Sequence, residues 1–308
     1  VDAAYLRRRL LGSLIAVVGV TLLVFFLVHL IPGDPVENLL GERADPGDVA
    51  AMRACMDLDQ SLFVQLGRFL RHVADGSFGL ICPDRSRTVA SLIWEALPST
   101  FVLAFAAMVV ALVLALPLGI AAALRPGSAL DASASAISLL GISMPSMWLG
   151  PLLLSIFYVQ LAWFPGPAES AGLAALVLPA IMLGTHLMAM LARMTRSSLL
   201  EVLSEDYVRT ARMKGLSGTA VILRHALRNA LVPVITVAGM QFGSLLAGAV
   251  VTERVFARLG TLLLEAISER NYRVVQGCTL IIAVTYVAVN LLVDLTYGLV
   301  DPRIRVRS

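Results

Sequence analysis

The chain has 308 residues, a formal net charge of +3, 58% hydrophobic and 15% charged residues, and a mean hydropathy of +0.84. That balance excludes an ordinary soluble domain and an intrinsically disordered chain, both of which carry far more polar surface. The four histidines and three cysteines are scattered, which gives a metal centre poor support.

A membrane-crossing helix takes about 20 mostly apolar residues. Stretches without Lys, Arg, Asp or Glu reach that length at 10–31, 98–124, 132–164, 171–192, 229–252 and 274–293. Arg7, Arg8 and Arg9 before the first run resemble the start of a secretory signal. The run is long for one, lacks a small-x-small cleavage site and ends at Ile31-Pro-Gly-Asp-Pro35, so it is expected to stay as the first span. The segment 32–97 then forms a long outer loop. Leu58, Leu62, Leu66, Phe69, Leu70 and Val73 recur there at helical spacing, which predicts an amphipathic helix lying on the outer surface or packing on the span ends. Asp75–Gly79 reads as a turn. Cys55 and Cys82 share this loop; they either pair in an oxidising compartment or stay as two free thiols.

The second run contains Pro117, the third Pro145 and Pro151, and the fourth Pro179. Membrane helices accept proline where neighbouring protein or water satisfies the freed carbonyl. The third run is too long for one simple span, and its helix is placed near 137–160. The fifth carries Gly239, Gly243 and Gly248, a small-xxx-small pattern that lets two helices approach closely. His29, His186 and Asp294 are isolated near predicted span ends and are expected to be hydrogen-bonded structural groups.

Six spans leave both termini on one side. That side gathers Arg7–Arg9, Arg125, Arg193, Arg196, the bases from Arg209 to Arg228, and Arg303, Arg305 and Arg307. The opposite short connections carry Arg254, Arg258, Arg270 and Arg273. The positive-inside rule therefore predicts cytoplasmic termini. Arginines that flank spans in this way do not suggest nucleic-acid binding.

The segment 193–228 is too patterned for a simple connector. Ser204 is a candidate N-cap, Glu205 and Asp206 suit the positive end of a helix, and Arg212 and Lys214 suit its negative end. Gly215 is a helix stop in the left-handed conformation. The pattern predicts a helix of about ten residues, about 15 Å long. Tyr207, Ala211 and Lys214 lie on one stripe of it, and a second helix starts near Ser217 or Thr219 and runs towards Asn229. The chain shows no phosphate-binding G-x-x-x-x-G-K-[ST] loop and no H-E-x-x-H, C-x-x-C or G-x-S-x-G motif. A protein of this kind draws its energy from a partner or from an ion gradient.

"EDYVRTARMKGLS" followed by "RHALRNALVPVI" resembles the cytoplasmic signature of ATP-binding-cassette importer permeases, specifically the dipeptide/oligopeptide/nickel family. "VVGVTLLVFFLVHLIPGDP", "LDQSLFVQLGRFL", "LPLGIAAALRPGSALD", "GISMPSMWLG" and the terminal "DPRIR" extend that likeness along nearly the whole chain. The Ile-Pro-Gly-Asp-Pro exit and the long outer loop resemble the first of the two permease subunits in such systems. Where the broad signature begins Glu-Ala-Ala, this chain has Arg209, Thr210 and Ala211, followed by Gly215.

The resemblance implies an all-α polytopic membrane protein with six transmembrane helices, the type I ABC-importer permease fold and a largely helical outer loop. Its expected parts are an N-terminal tail and first span at 1–31, the outer loop at 32–97, a permease core at 98–300 and a cytoplasmic tail at 301–308. It implies an ATPase-coupling site at Asp206, Tyr207, Arg209, Ala211, Arg212, Lys214, Gly215 and Leu216. The implied partners are a second homologous permease subunit, two cytoplasmic ATPases using ATP and Mg, and an extracytoplasmic solute-binding protein. No catalytic site and no cofactor of this chain's own are implied. Met144, Ser146, Trp148, Met240, Gln241, Ser244 and Asn290, polar or adaptable and mostly near proline or glycine, are candidates for the translocation path. The expected function is import of dipeptides, oligopeptides or related solutes by alternating access. Nickel chelates, glutathione and haem remain open within the family, and an ion-coupled secondary carrier is the alternative class; charge-free spans disfavour that carrier.

Overall fold

The computed structural model describes residues 3–30, 34–41, 44–82, 86–166, 172–248 and 259–300. Among these residues the chain is helical, apart from turns and one isolated bridge between Leu80 and Thr88. Its contacts divide it into two units. One comprises chiefly Ala3–Phe101 and Leu246–Ala288, the other chiefly Val102–Leu245 and the residues from Val289 onward.

The first unit opens with α1 (Ala3–His29). Two short helices follow, α2 (Pro35–Leu40) and α3 (Pro46–Cys55). Both start in the same way. A capping aspartate accepts a backbone N–H at 2.8 Å, from Val36 to Asp34 and from Gly47 to Asp45, and proline takes the first helical position. The expected amphipathic helix is α4 (Leu62–Ala74). Leu66, Phe69 and Val73 pack with Phe25 and Leu280, whereas Leu62 and Leu70 are exposed and Leu58 precedes the helix. The turn after α4 places Gly76, Phe78 and Gly79 at positive φ. The Ser77 hydroxyl and backbone N–H hold the Asp75 carboxyl below the usual carboxylate range.

Arg273, at the start of α13 (Tyr272–Val300), ties this segment down. It donates to Asp57 at 2.6 Å and to the Leu80 carbonyl at 3.0 Å. Asp57 sits at φ +62 and also pairs with Arg68. Cys55 and Cys82 are bonded, with Cα atoms 6.1 Å apart. A core of Val28, Ile93, Leu97, Val274 and Cys278 closes around α12 (Leu259–Ser268), which buries Leu259 and Leu263. The sequence reading had only a short connection at α12. His29 behaves as a structural group, 2.7 Å from the Phe25 carbonyl and 2.9 Å from the Gln65 side-chain amide.

The second unit is organised on α8 (Leu173–Leu203). The far part of α5 (Val89–Leu124) packs on it at Gly119, where an added Cβ would lie 2.6 Å from the Ala192 carbonyl. Helix α6 (Ala129–Ser143) is pinned to α8 by a two-pronged ion pair. Arg196 Nε and Nη2 donate to the two Asp131 oxygens at 2.6 and 2.8 Å, and the Gly127 N–H adds a third bond at 2.9 Å.

Among the described residues, five helices are long and apolar enough to cross a membrane: Arg7–His29, Val89–Leu124, Leu173–Leu203, Gly218–Leu246 and Tyr272–Leu295. A further apolar stretch passes the same test only as a pair of helices bent at a break, and here the structure corrects the sequence reading. No single helix covers 137–160. Helix α6 ends at Ser143, and α7 (Ser146–Leu153) restarts after Pro145 and passes into a π-helical turn at Leu154–Gln160. The two arms are bent by 108°. Pro145 holds its predecessor out of the helical region, and Met144 accordingly lies at ψ 120. Two other expected spans begin earlier than their apolar runs. Helix α5 starts at Val89, and the fifth crossing starts at Gly218, because helix continues through polar residues outside the apolar stretch. The expected span residues 249–252 and the terminal Asp301–Arg305 lie outside the described residues.

Two outcomes are expected from this packing. Alkylation of the denatured, unreduced protein modifies Cys278 and leaves Cys55 and Cys82 unlabelled, read by mass spectrometry. Arg196→Ala strands Asp131 and lowers the melting temperature, by less than for a fully buried pair because the Arg196 side chain is 33% exposed. The double variant with Asp131→Ala recovers part of that loss in a detergent melting assay.

Candidate functional site

Helix α8 runs past its apolar stretch for about ten residues. At 1.5 Å per residue its 31 residues measure about 46 Å, against a hydrocarbon core of about 30 Å. The surplus carries Arg193, Arg196 and the turn that leads into α9 (Asp206–Met213).

Helix α9 has eight residues, fewer than the ten expected, and it begins one position later. Ser204 is not its N-cap. It remains in helical geometry as the C-cap of α8, and its hydroxyl donates to the Glu201 carbonyl at 2.6 Å. Glu205 occupies the N-cap position without a side-chain cap bond, and Asp206 supplies the negative charge of the first turn. Arg212 lies in the last turn and Lys214 is the C-cap. Gly215 adopts φ +78, as the stop signal required, and an added Cβ there would meet nothing within 4 Å.

Two residues seat the helix. Val208 has no exposed surface and Ala211 is 7% exposed; both pack with Ala123, Leu199, Val221, Ala226 and Ala230. Asn229 adds a hydrogen bond, donating to the Tyr207 hydroxyl at 2.8 Å. The segment after Gly215 is short. Ser217 caps α10 (Gly218–Ala220) by accepting the Ala220 N–H at 3.3 Å. A π-helical stretch, Val221–Ala226, then feeds directly into α11 (Leu227–Gly248). The separate second helix expected near Ser217 is therefore the start of a membrane-crossing one.

The sequence-derived site divides on inspection. Asp206, Tyr207, Arg209, Arg212, Lys214, Gly215 and Leu216 are exposed. Ala211 points into the chain's own packing and positions the helix. Met213, which sequence reasoning left out, is 80% exposed beside Leu216 at 42%. A methionine between Arg212 and Lys214 reads as a neutral choice in sequence; only the stop at Gly215 reveals it as the tip of the helix. The exposed Arg209–Asp206 pair at 3.7 Å adds little stability.

The translocation candidates fall in two groups. Met144 and Ser146 flank Pro145 at the break, with Trp148 exposed one turn on. Met240, Gln241 and Ser244 lie on α11, which meets α13 at Gly239; a Cβ there would lie 2.5 Å from Val293. Gly239 of the small-residue pattern thus serves a contact within the chain. Asn290 is one turn from Val293 and half-buried. Among the described residues, no group of three or more His, Cys, Asp or Glu is placed to hold a metal ion.

Comparison with known proteins places this architecture. Residues 115–306 match the family described as binding-protein-dependent transport system inner membrane component, and residues 3–104 match the N-terminal family of such membrane components. The di/tripeptide transport system permease protein DppB of Pseudomonas aeruginosa (strain UCBPP-PA14) is 43% identical over 337 residues, covering 98% of both chains. The glutathione transport system permease protein GsiC of Escherichia coli (strain K12) is 39% identical over 303 residues, again covering 98% of both. In fold, the MetNI methionine ABC transporter in an inward-facing form matches with a TM-score of 0.55 at 19% identity, over 68% of this chain and 96% of that one. An amino acid ABC transporter crystallised with histidines gives 0.51 at 19% identity, over 69% and 94%. The chain belongs to the family of binding-protein-dependent transport system inner membrane components, as a multi-pass permease subunit of an ATP-binding-cassette importer and not its ATPase.

Proposed function

We propose that this permease imports short peptides or peptide-like solutes across a prokaryotic plasma membrane, and that α9 is the helix through which ATPase partners drive it. Full-length likeness to di/tripeptide and glutathione permeases supports the solute class. The observation that carries the coupling assignment is the contrast between the two faces of α9. Val208 and Ala211 are locked into the fold, while Met213 and Leu216 stand exposed at its tip among Arg209, Arg212 and Lys214. Exposed apolar side chains ringed by charge suit a protein partner with a matching groove.

Two cytoplasmic ATPases, using ATP and Mg, take up that face. A second permease subunit completes the pathway, and an extracytoplasmic binding protein delivers the solute. Both termini and α9 lie in the cytoplasm, in keeping with the arginine distribution. Closure of the ATPases displaces α9. Because α9 has no slack against α8 and α11, the displacement passes to membrane-crossing helices and shifts the population between inward- and outward-open states. Met144, Ser146 and Trp148 at the broken crossing, with Met240, Gln241, Ser244 and Asn290, line the route. Functionally, the chain divides into a first span at 1–31, an outer loop at 32–97, a core at 98–300 with its coupling segment at 193–228, and a tail from 301.

The test is substrate-stimulated ATP hydrolysis by the reconstituted complex. Met213→Asp with Leu216→Asp abolishes stimulation while the protein still inserts and elutes normally; unchanged stimulation would remove the assignment. Gly215 gives a finer test. Gly215→Val forces a β-branched residue to positive φ at a cost of about 1–2 kcal/mol and lowers coupling, whereas Gly215→Asn, which tolerates that conformation, stays close to wild type. Equal effects of the two variants would mean that the backbone stop is not what matters.

A further inference from the structure

A cavity of ≈ 250 Å³ lies between α5, α6 and α8. It is larger than the apolar cavity of about 150 Å³ that can admit a benzene ring. Its origin is local. Gly119 draws α5 onto α8, the Asp131–Arg196 pair fastens α6, and the small side chains Ala122, Ala134 and Ser138 between them leave the space unfilled. Leu118 and Leu139 continue the wall, and Leu139 is 63% exposed, so the space opens sideways from the helices.

The two ends of the cavity differ. Most of the wall is aliphatic, but Arg193 and Arg196 stand at one end. Asp131 matches the charge of Arg196. Arg193 is exposed and has no carboxylate partner among the described residues. The charge-free runs locate this end in the membrane. They stop at Leu124 on α5 and at Ala192 on α8, and one begins at Ala132 on α6. The cavity straddles that line, with its arginine end at the edge of the apolar layer and its aliphatic wall inside.

We infer that the cavity holds an acyl chain of an anionic phospholipid whose phosphate is bound by Arg193. The aliphatic wall takes the chain without polar cost, and the guanidinium forms charge-assisted hydrogen bonds to phosphate oxygens. The net negative charge of the lipid matters because Arg193 alone at this end is uncompensated. The inference rests on the membrane placement of the chain and not on the coupling role of α9, so the two stand or fall separately.

The experiment uses the full-length protein, purified in mild detergent with the subunits that accompany it. Lipid is exchanged against phosphatidylglycerol or phosphatidylethanolamine with identical acyl chains, and retained copies are counted by native mass spectrometry. Phosphatidylglycerol is retained about fivefold better, as expected for one basic side chain facing one anionic headgroup. Arg193→Gln abolishes that preference, Arg193→Lys keeps most of it, and Ser135→Phe, which narrows the lining, lowers retention of both lipids. Inorganic phosphate does not displace the lipid. Equal retention of the two lipids by wild type, or an undiminished preference in Arg193→Gln, would overturn the inference. Displacement by phosphate alone would reassign the site to a free anion, and cross-linking of Ser135→Cys to a second permease subunit would show that protein covers the cavity.

Discussion

The burial of Val208 and Ala211 beneath α9 is the contact on which the functional account depends. Eight residues are too few to hold a helix in water, where the cost of nucleation leaves segments under about 12 residues marginal. The order of α9 therefore comes from tertiary packing, and so does its position. Leu199 belongs to α8, and Ala226 and Ala230 lie within the helix that begins at Gly218. A push on the exposed face reaches both helices at once. The Asn229–Tyr207 hydrogen bond resists rotation about the same seat.

That seat would achieve little on a yielding support. The support is α8, held to α5 by the close approach at Gly119 and to α6 by the bidentate Arg196–Asp131 pair. Against this stiffness stands the break at Pro145, where α6 and α7 meet at 108°. Packed side chains switch between discrete arrangements more readily than they deform, so a broken helix beside a rigid one is a natural place for two states to differ. Within the other unit, Asp57 binds Arg68 and Arg273 from a left-handed backbone position and fastens the segment around α3 and α4 to the start of α13. Strain of that kind persists only where the surroundings hold it in place.

Much of this was legible in the sequence, and particular residues show why. Charge-free runs gave the crossings because a charged side chain in lipid is costly, but their edges misled wherever a helix continues through polar residues, as at Val89 and Gly218. Gly215 was readable because left-handed geometry has so few occupants. Ser204 was misassigned because serine is a favoured N-cap and the sequence does not show how far α8 runs; the helical φ of −84 and ψ of −13 assign it to α8. The Asp34-Pro35 and Asp45-Pro46 pairs announced α2 and α3 and passed unread. Met213, the Asp131–Arg196 pair and the cavity beside Arg193 depend on which faces meet in space, and no spacing rule carries that.

The central claim is that the tip of α9 meets an ATPase. It is tested most directly by site-specific cross-linking in intact cells, with a photoreactive side chain at position 213 in place of Met213 and a control at the exposed Phe63 of α4. The account predicts a product between position 213 and an ATPase subunit, with a yield that changes when ATP hydrolysis is blocked, and no such product from position 63. Absence of the product at 213, or an equal one at 63, would contradict it.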